Sequence, residues 1–223
     1  MSVVLSWSGG KDSALALWTL REQGTPPAAI LTTINEDYGR ISIHGVRREL
    51  LHAQAAALGL PLVEVGIPTD CPNELYEERM AAALESPELT GADAFAFADL
   101  FLADIRAYRE ERLARIGKEA IFPLWGRETA ALAREFVDAG FGATLAVVDA
   151  EQLDASFVGR RFDAALLADL PDGVDPCGEN GEFHTFVDSG PIFDAPIPVV
   201  LGELRDEGRF VYRDLLPNRI PVQ

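Results

Sequence analysis

Eight residues near the start of the chain, Ser6-Trp7-Ser8-Gly9-Gly10-Lys11-Asp12-Ser13, bring together the groups that phosphate chemistry needs. Two glycines let the backbone approach a ligand closely. A helix that starts here offers unpartnered amides and the positive end of its dipole to an anion. Ser8 and Ser13 add hydroxyl donors, Lys11 adds a mobile positive charge, and Asp12 is a candidate Mg2+ ligand at about 2.1 Å. The spacing is neither that of a Walker A loop nor Gly-x-Gly-x-x-Gly. An ordinary glycine turn between strand and helix is the bland alternative. Lys11 and Lys118 are the only lysines in 223 residues, so a lysine inside this loop is hard to ascribe to chance.

A second constellation lies late in the chain. Glu179, Glu182 and His184 fall within six residues of one another, in the glycine-punctuated segment from Asp175 to Val187, with Cys177 beside them. Such residues act as general bases, amine ligands or metal ligands. A zinc site needs four ligands, and only one His and one Cys are at hand. The competing reading is an acidic turn stabilised by Thr185 and local hydrogen bonds. Earlier, His44 and Arg47 stand at a helix start, suited to an anionic phosphate or a substrate carboxylate, although a lone His near a loop is more often structural.

The elements that must position these groups follow from pattern. Val3-Val4-Leu5 reads as a strand that gives way to a helix from Lys11. Ala29 to Ile34 reads as a second strand ending at Asn35. Ligands of doubly wound sheets sit beyond the carboxyl ends of strands, which places Thr33, Ile34 and Asn35 to meet a nucleotide base. A helix over Glu49–Leu58 is closed by Gly59 and followed by a strand over Pro61–Val65. Asn73 reads as the cap of a helix through Leu84. Gly91 to Phe97 is a fourth strand, and Leu102 to Leu113 a charged amphipathic helix with a solvated face. Asp99 and Asp104, just past that strand, are candidate site residues.

Ala120 to Gly126 is a fifth strand and loop. A helix over Glu128–Asp138 and a strand over Gly142–Val148 continue the β-α rhythm of an open parallel sheet. The rhythm changes after about residue 127. A short helix over Asp163–Leu170, the segment from Asp175 to Val187 and a terminal hairpin (Ile197–Leu201 and Arg209–Tyr212, around Gly208) follow. The expected architecture is therefore α/β. A five-stranded parallel sheet with flanking helices occupies residues 1–126, and a small α+β C-terminal domain occupies 127–223, packed tightly without a linker.

A formal net charge of −17 argues against nucleic acid as a partner. No apolar run approaches the ~20 residues that span a bilayer, and the N-terminus lacks a basic stretch followed by an apolar core. Cys71 and Cys177 lie far apart without metal spacing, as expected in a reducing cytoplasm, and nothing near Cys71 in sequence marks it as a reactive thiol. Pro196 to Leu201 is apolar enough to serve as a homodimer interface.

The opening loop resembles the Ser-Gly-Gly-x-Asp-Ser loop of the PP-loop, or N-type ATP pyrophosphatase, superfamily, whose members split ATP between the α and β phosphates. The segment Asp175-Pro176-Cys177-Gly178-Glu179-Asn180-Gly181-Glu182-Phe183-His184-Thr185-Phe186-Val187 resembles the hallmark of its diphthine–ammonia ligase family. His44-Gly45-Val46-Arg47, Phe97-Ala98-Asp99 with Leu102-Ala103-Asp104, and Pro123-Leu124-Trp125-Gly126 fall in the order that family shows. Gly159-Arg160 with Asp163 adds a weaker match. The resemblance covers residues 3 to about 190. One departure is Ala98, where the family usually has Gly, and its methyl narrows the approach to the nucleotide.

The resemblance implies the adenine nucleotide α-hydrolase fold, with ATP and Mg2+ as cofactors. It also implies amidation of a carboxylate by ammonia, through an acyl-adenylate. The acceptor it implies is diphthine, a modified histidine of translation elongation factor 2. By the same resemblance Ser6 to Ser13, Thr33, Ile34, Asn35, Phe97, Ala98 and Asp99 bind the nucleotide. His44, Arg47, Asp104, Trp125, Gly126, Gly178 and Thr185 meet the substrate, while Lys11, Asp12, Glu179, Glu182 and His184 carry the chemistry. Two other readings remain open, a PP-loop tRNA-modifying enzyme and a non-catalytic ATP-binding protein.

Overall fold

The apolar run Val3-Val4-Leu5 is buried at every position, as a strand covered on both faces must be. The structure, a computed structural model, describes residues 1–218. The chain runs β1 (Val3–Ser6), α1 (Lys11–Glu22), β2 (Ala29–Asn35), the two-residue β3 (Arg40–Ile41) and α2 (Arg48–Leu58). Then come β4 (Leu62–Ile67), α3 (Asn73–Leu84), β5 (Ala94–Ala96), α4 (Ala103–Arg115) and β6 (Glu119–Ile121). The remainder is α5 (Thr129–Asp138), β7 (Gly142–Asp149), a 3-10 turn, α6 (Ala164–Asp169), β8 (Phe183–Ser189), β9 (Val199–Glu207) and β10 (Phe210–Pro217).

Two compact units result. The first comprises Met1–Ser8, Asp12–Gly39 and Leu60–Arg127, and the second comprises Gly9–Lys11, Arg40–Gly59 and the chain from Glu128 onward.

The first unit is an α/β layer. Parallel pairings join five strands in the order β4-β2-β1-β5-β6, with Val4 of β1 opposite Ala29 and Phe95. The strand order therefore reverses direction between β1 and β5, and ligands of such sheets bind beyond the carboxyl ends at that switch. Val4, Ala29, Leu31, Val63, Val65, Phe95 and Leu113 form one core cluster, each large side chain contributing about 1.5–3 kcal/mol by leaving water. No helix among the described residues is long and apolar enough to cross a membrane.

The second unit is built on a four-stranded antiparallel sheet, β8-β7-β10-β9. Here the structure departs from the expected rhythm. The strand after α5 does not extend the parallel series, because β7 takes antiparallel partners on both edges. One of them, β8, was concealed by the glycines and acids just before it. β9 and β10 run well past the short hairpin strands expected. Glu203, Arg205, Asp206 and Glu207 hide the end of β9, and charge is a common device on an edge strand. The core is aromatic: Phe136 stacks on Phe141 at 4.8 Å and meets Phe162 edge-on at 5.4 Å. Helix α5 starts where Glu128 accepts from the amides of Ala130 and Ala131, at 2.9 and 2.7 Å. Asp163 caps α6 by accepting from the Leu166 amide at 2.8 Å.

One buried ion pair ties β10 to the start of α2. Asp214 accepts from Arg47 Nη2 at 2.6 Å and Nε at 3.0 Å, and from Arg40 Nη1 at 2.9 Å. Burial raises the Asp214 pKa, but the hydrogen bonds from Arg47 and Arg40 outweigh it and hold the carboxyl below its ordinary value. A depressed carboxyl pKa adds stability that is present above the unfolded value and lost as pH falls through the folded one. Asp214→Ala, which leaves two arginines facing each other, is expected to lower the unfolding free energy by about 3 kcal/mol at pH 7. Urea denaturation should show a shifted midpoint with unchanged slope, and the gap between variant and wild type should close under strongly acid conditions.

Candidate functional site

β1 delivers the glycine loop in register with β2. The Trp7 amide donates to Leu31 O at 2.8 Å, and the Thr32 hydroxyl donates to Trp7 O at 2.7 Å. The hydroxyls of Ser8 and Ser13 then lie 3.3 Å apart, across the start of α1. Between them, Gly9 to Lys11 join the second unit, where β8 holds them. The Val187 amide donates to Gly9 O at 2.9 Å, and the Lys11 amide donates to the Thr185 hydroxyl at 3.0 Å. Buried Gln54, on α2, donates through Nε2 to Gly9 O at 3.0 Å and to Val187 O at 2.7 Å.

Both glycines are required sterically. Gly9 has φ +78°, and a Cβ there would lie 2.8 Å from Gln54 Oε1. A Cβ on Gly10 would lie 2.9 Å from His44 Cε1 and 3.1 Å from the Thr185 carbonyl. A side-chain-free backbone, two hydroxyls and a helix start fit a chain of phosphates. Lys11, in contrast, is not a mobile charge. Its side chain is buried, its ammonium donates to the Cys177 carbonyl, and it lies 5.7 Å from the Phe183 ring centroid. It binds the loop to the late segment.

His44 and His184 pack ring against ring, with centroids 4.6 Å apart and planes inclined by 38°. His44 Nδ1 is 3.3 Å from the Thr185 carbonyl, and since a carbonyl only accepts, Nδ1 carries the proton. Burial pushes the His44 pKa down to about 4, aided by the Lys11 charge and opposed by the Thr185 hydrogen bond. His44 is thus a neutral imidazole at neutral pH.

The acidic segment is wired largely into itself. Buried Glu182 accepts from the Asp175 amide at 2.9 Å and from the Asn180 amide and side chain, both at 3.0 Å. Asp175 accepts from the Cys177 amide at 2.7 Å and the Glu179 amide at 3.4 Å. Gly178 turns with φ +69°, and a Cβ on it would lie 2.7 Å from Phe183 O. Glu182 therefore shapes the turn that presents half-buried Glu179 and His184.

Models of two domains match this chain, the diphthamide synthase N-terminal domain over residues 1–121 and the diphthamide synthase C-terminal domain over residues 128–213. The chain belongs to the diphthamide synthase family. It is 26% identical over 230 residues to diphthine–ammonia ligase of Rattus norvegicus, which covers 91% of this chain and 84% of that protein. It is also similar to a solved structure described as a predicted subunit of tRNA methyltransferase from Methanocaldococcus jannaschii. That likeness has 18% identity and a TM-score of 0.44, over 86% of this chain and 98% of that one.

In this diphthamide synthase family member the remaining expected residues divide into two groups. Asp99 stands beyond β5 with Arg109 Nε 3.2 Å from its carboxylate. Burial raises the Asp99 pKa, Arg109 opposes that, and the nearby charge of Asp12 adds to the rise. The Arg109 guanidinium covers the Phe97 ring at 4.1 Å, and Phe97 continues through Phe122 to Trp125 at successive centroid distances of 5.7 and 5.8 Å. Ile34 is buried, while Ser6, Thr33 and Ala98 are half-buried at strand ends. Gly126 donates its amide to Leu100 O at 2.8 Å.

The others are engaged elsewhere or face water. Asn35 accepts from the amides of Asp37 and Tyr38, at 3.0 and 3.2 Å, and so shapes its own turn. Arg47 is held by Asp214, and Asp104 is exposed on the first turn of α4. Sequence reasoning overlooked Gln54 and Arg109. Gln54 shares the buried face of α2 with Leu50, Leu51 and Leu58, and an amide on such a face is the signal that finds it.

A histidine whose pKa is lowered by folding contributes stability that is full above its unfolded value and declines toward its folded one. Between pH 6.5 and about 4 the unfolding free energy should therefore fall, by about 2 kcal/mol after allowance for partial exposure of His44. His44→Asn is expected to flatten that window and to leave the loss at lower pH intact. Urea midpoints measured across this range test the assignment.

Proposed function

We propose that this chain is an ATP-dependent, AMP-forming ligase that amidates a carboxylate with ammonia, in the manner its relative's name describes for diphthine. One observation carries the reading: Gly9 to Lys11 of the glycine loop are hydrogen-bonded to β8, the strand that bears His184 and Thr185. A phosphate-gripping backbone and a set of proton-handling side chains thus share one rigid support. The region 1–126 would bind ATP and Mg2+, and 127–223 would hold the acceptor.

The residues suit the steps. An acceptor carboxylate oxygen attacks the α-phosphorus, the bond to the bridging oxygen breaks, and pyrophosphate departs. Ammonia then attacks the acyl carbon, AMP leaves, and one proton is lost from nitrogen. Adenylation converts a poor acyl donor into a good one. Loop amides and the Ser8 and Ser13 hydroxyls would stabilise charge on the departing group. Mg2+ would be held partly by Asp12 together with phosphate oxygens, and would neutralise that charge. Thr33 to Asn35, Phe97 and Ala98 would bracket adenine.

His184, backed by His44, would orient the nucleophile or take the proton, and Glu179 would assist. Glu182 and Lys11 act as positioning residues in this scheme. The acceptor would be diphthine on elongation factor 2, and the reaction would run in the cytoplasm, where ATP is available.

Pyrophosphate release with ATP, ammonium and diphthine-bearing elongation factor 2 measures the activity. Gly10→Ala and Lys11→Ala should each lower it by roughly 100-fold or more, with the far-ultraviolet circular dichroism of the wild type retained. Near-normal release by a folded Gly10→Ala protein would sink the assignment of the loop.

A further inference from the structure

Positive charge for a phosphate is scarce in this chain, where 19 lysines and arginines face 36 acids, and much of it is already committed. Both lysines donate to main-chain carbonyls, Lys11 to Cys177 and Lys118 to Ala92. Arg47 is locked on Asp214 and Arg209 on Asp149, each through two of its nitrogens. Arg106, in the first turn of α4, donates to Glu110 at 2.7 Å, one turn along the exposed side of the same helix.

Arg109 is different. Its side chain is 29% exposed, yet among the described residues its hydrogen bonding amounts to one long bond, from Nη2 to Asp99 Oδ1 at 3.3 Å. Nε lies 3.2 Å from Asp99 Oδ2, but that oxygen is buried and accepts no hydrogen bond. A guanidinium drawn largely out of water with most of its donors unused by the protein costs stability, and so does a buried carboxylate oxygen without a donor. A pair that only stiffened the fold would close through two nitrogens, as at Asp214 and Asp149. The open pair at Asp99 leaves the guanidinium able to take two oxygens of another anion.

Its place narrows which anion. The guanidinium lies over the Phe97 ring at 4.1 Å, a contact that fixes its plane before any ligand arrives. Phe97 and Asp99 come just after β5, at the carboxyl edge of the sheet beside β1, where the strand order reverses. Asp12, in the first turn of α1, is close enough for its charge to act on Asp99. All of these residues belong to the first unit.

We infer that Arg109 binds the sugar-proximal phosphate of the nucleotide, with Phe97 and Asp99 as the positioning residues that present its guanidinium. The inference rests on the proposed function for the choice of phosphate: with adenine bracketed at Phe97 and Ala98, the α-phosphate is the first anionic group along from the base. Nη1 and Nη2 would take two of its non-bridging oxygens. In the adenylation step Arg109 moves no proton. It neutralises charge on the oxygens of the phosphorus under attack while the bond to the bridging oxygen breaks. Lys11, spent on the Cys177 carbonyl, leaves that task open.

Calorimetry with AMP, adenosine and inorganic pyrophosphate, in the presence of Mg2+, tests the assignment on the wild-type protein and on Arg109→Met and Arg109→Lys. Wild type should bind AMP more tightly than adenosine. Arg109→Met should weaken AMP by roughly 10- to 100-fold while adenosine binding stays unchanged. Arg109→Lys restores the charge without the fork, so its AMP affinity should fall between the other two. Pyrophosphate should bind all three proteins alike. A merely structural role would weaken adenosine and AMP together, and thermal melting would show it as well. That result, an unchanged preference for AMP in Arg109→Met, or no such preference in wild type overturns the assignment. Pyrophosphate weakened in step with AMP overturns the choice of the α-phosphate. The assay of pyrophosphate release separates this inference from the ligase reading. Release by wild type together with an unchanged AMP preference in Arg109→Met removes Arg109 alone, whereas the expected loss of AMP binding without any release by wild type removes the ligase reading alone.

Discussion

Gly9 to Lys11 owe their conformation to a strand that lies more than 170 residues away in sequence. Val187 and Thr185 each take one of the loop's main-chain groups, and Gln54 bridges the loop carbonyl to the strand carbonyl. A loop of two glycines held only by its neighbours would sample many backbone states, and its amides would converge on an anion only part of the time. Held against β8, they are organised before any ligand arrives, and that organisation underlies electrostatic stabilisation. The sterics run the same way, since His44, Gln54 and the Thr185 carbonyl leave no room for a side chain on the loop.

Buried and half-buried carboxylates are the second organising feature of this strongly acidic chain. Asp214, Asp149, Asp188 and Asp99 are each matched by an arginine, and the first three pairs stiffen the unit that carries His184. Arginine suits the role because its planar fork binds a carboxylate through two parallel hydrogen bonds. Arg209 holds the Asp149 pKa down at about 2, so this pair stays charged at neutral pH.

Much of this was legible in the residues, for reasons that can be named. Buried parallel strands are short unbroken apolar runs, so β1, β2 and β4 stand out, and the loop motif sits where the strand order reverses. The helix from Glu128 was legible because its cap and its terminal glycine are both local signals. What stayed hidden depends on partners distant in sequence. β7 looks like one more parallel strand until β8 and β10 pair with it. Arg47 looks like an anion binder until Asp214 is brought to it, and Glu182 looks like a base until Asp175 and Asn180 close around it. Lys11 reads as a free cation because nothing nearby in sequence announces the Cys177 carbonyl.

The long reach of these contacts also governs the order of events as the chain is made. The glycine loop leaves the ribosome more than 170 residues ahead of its partners Thr185 and Val187, and Arg47 well over 100 residues ahead of Asp214. Contacts of such high sequence separation form slowly, because loop-closure entropy must be overcome before they add any stability. The nascent chain can assemble its parallel sheet while the glycine loop is still without the strand that fixes it. A partly translated chain therefore carries the parallel sheet with its glycine loop still unordered.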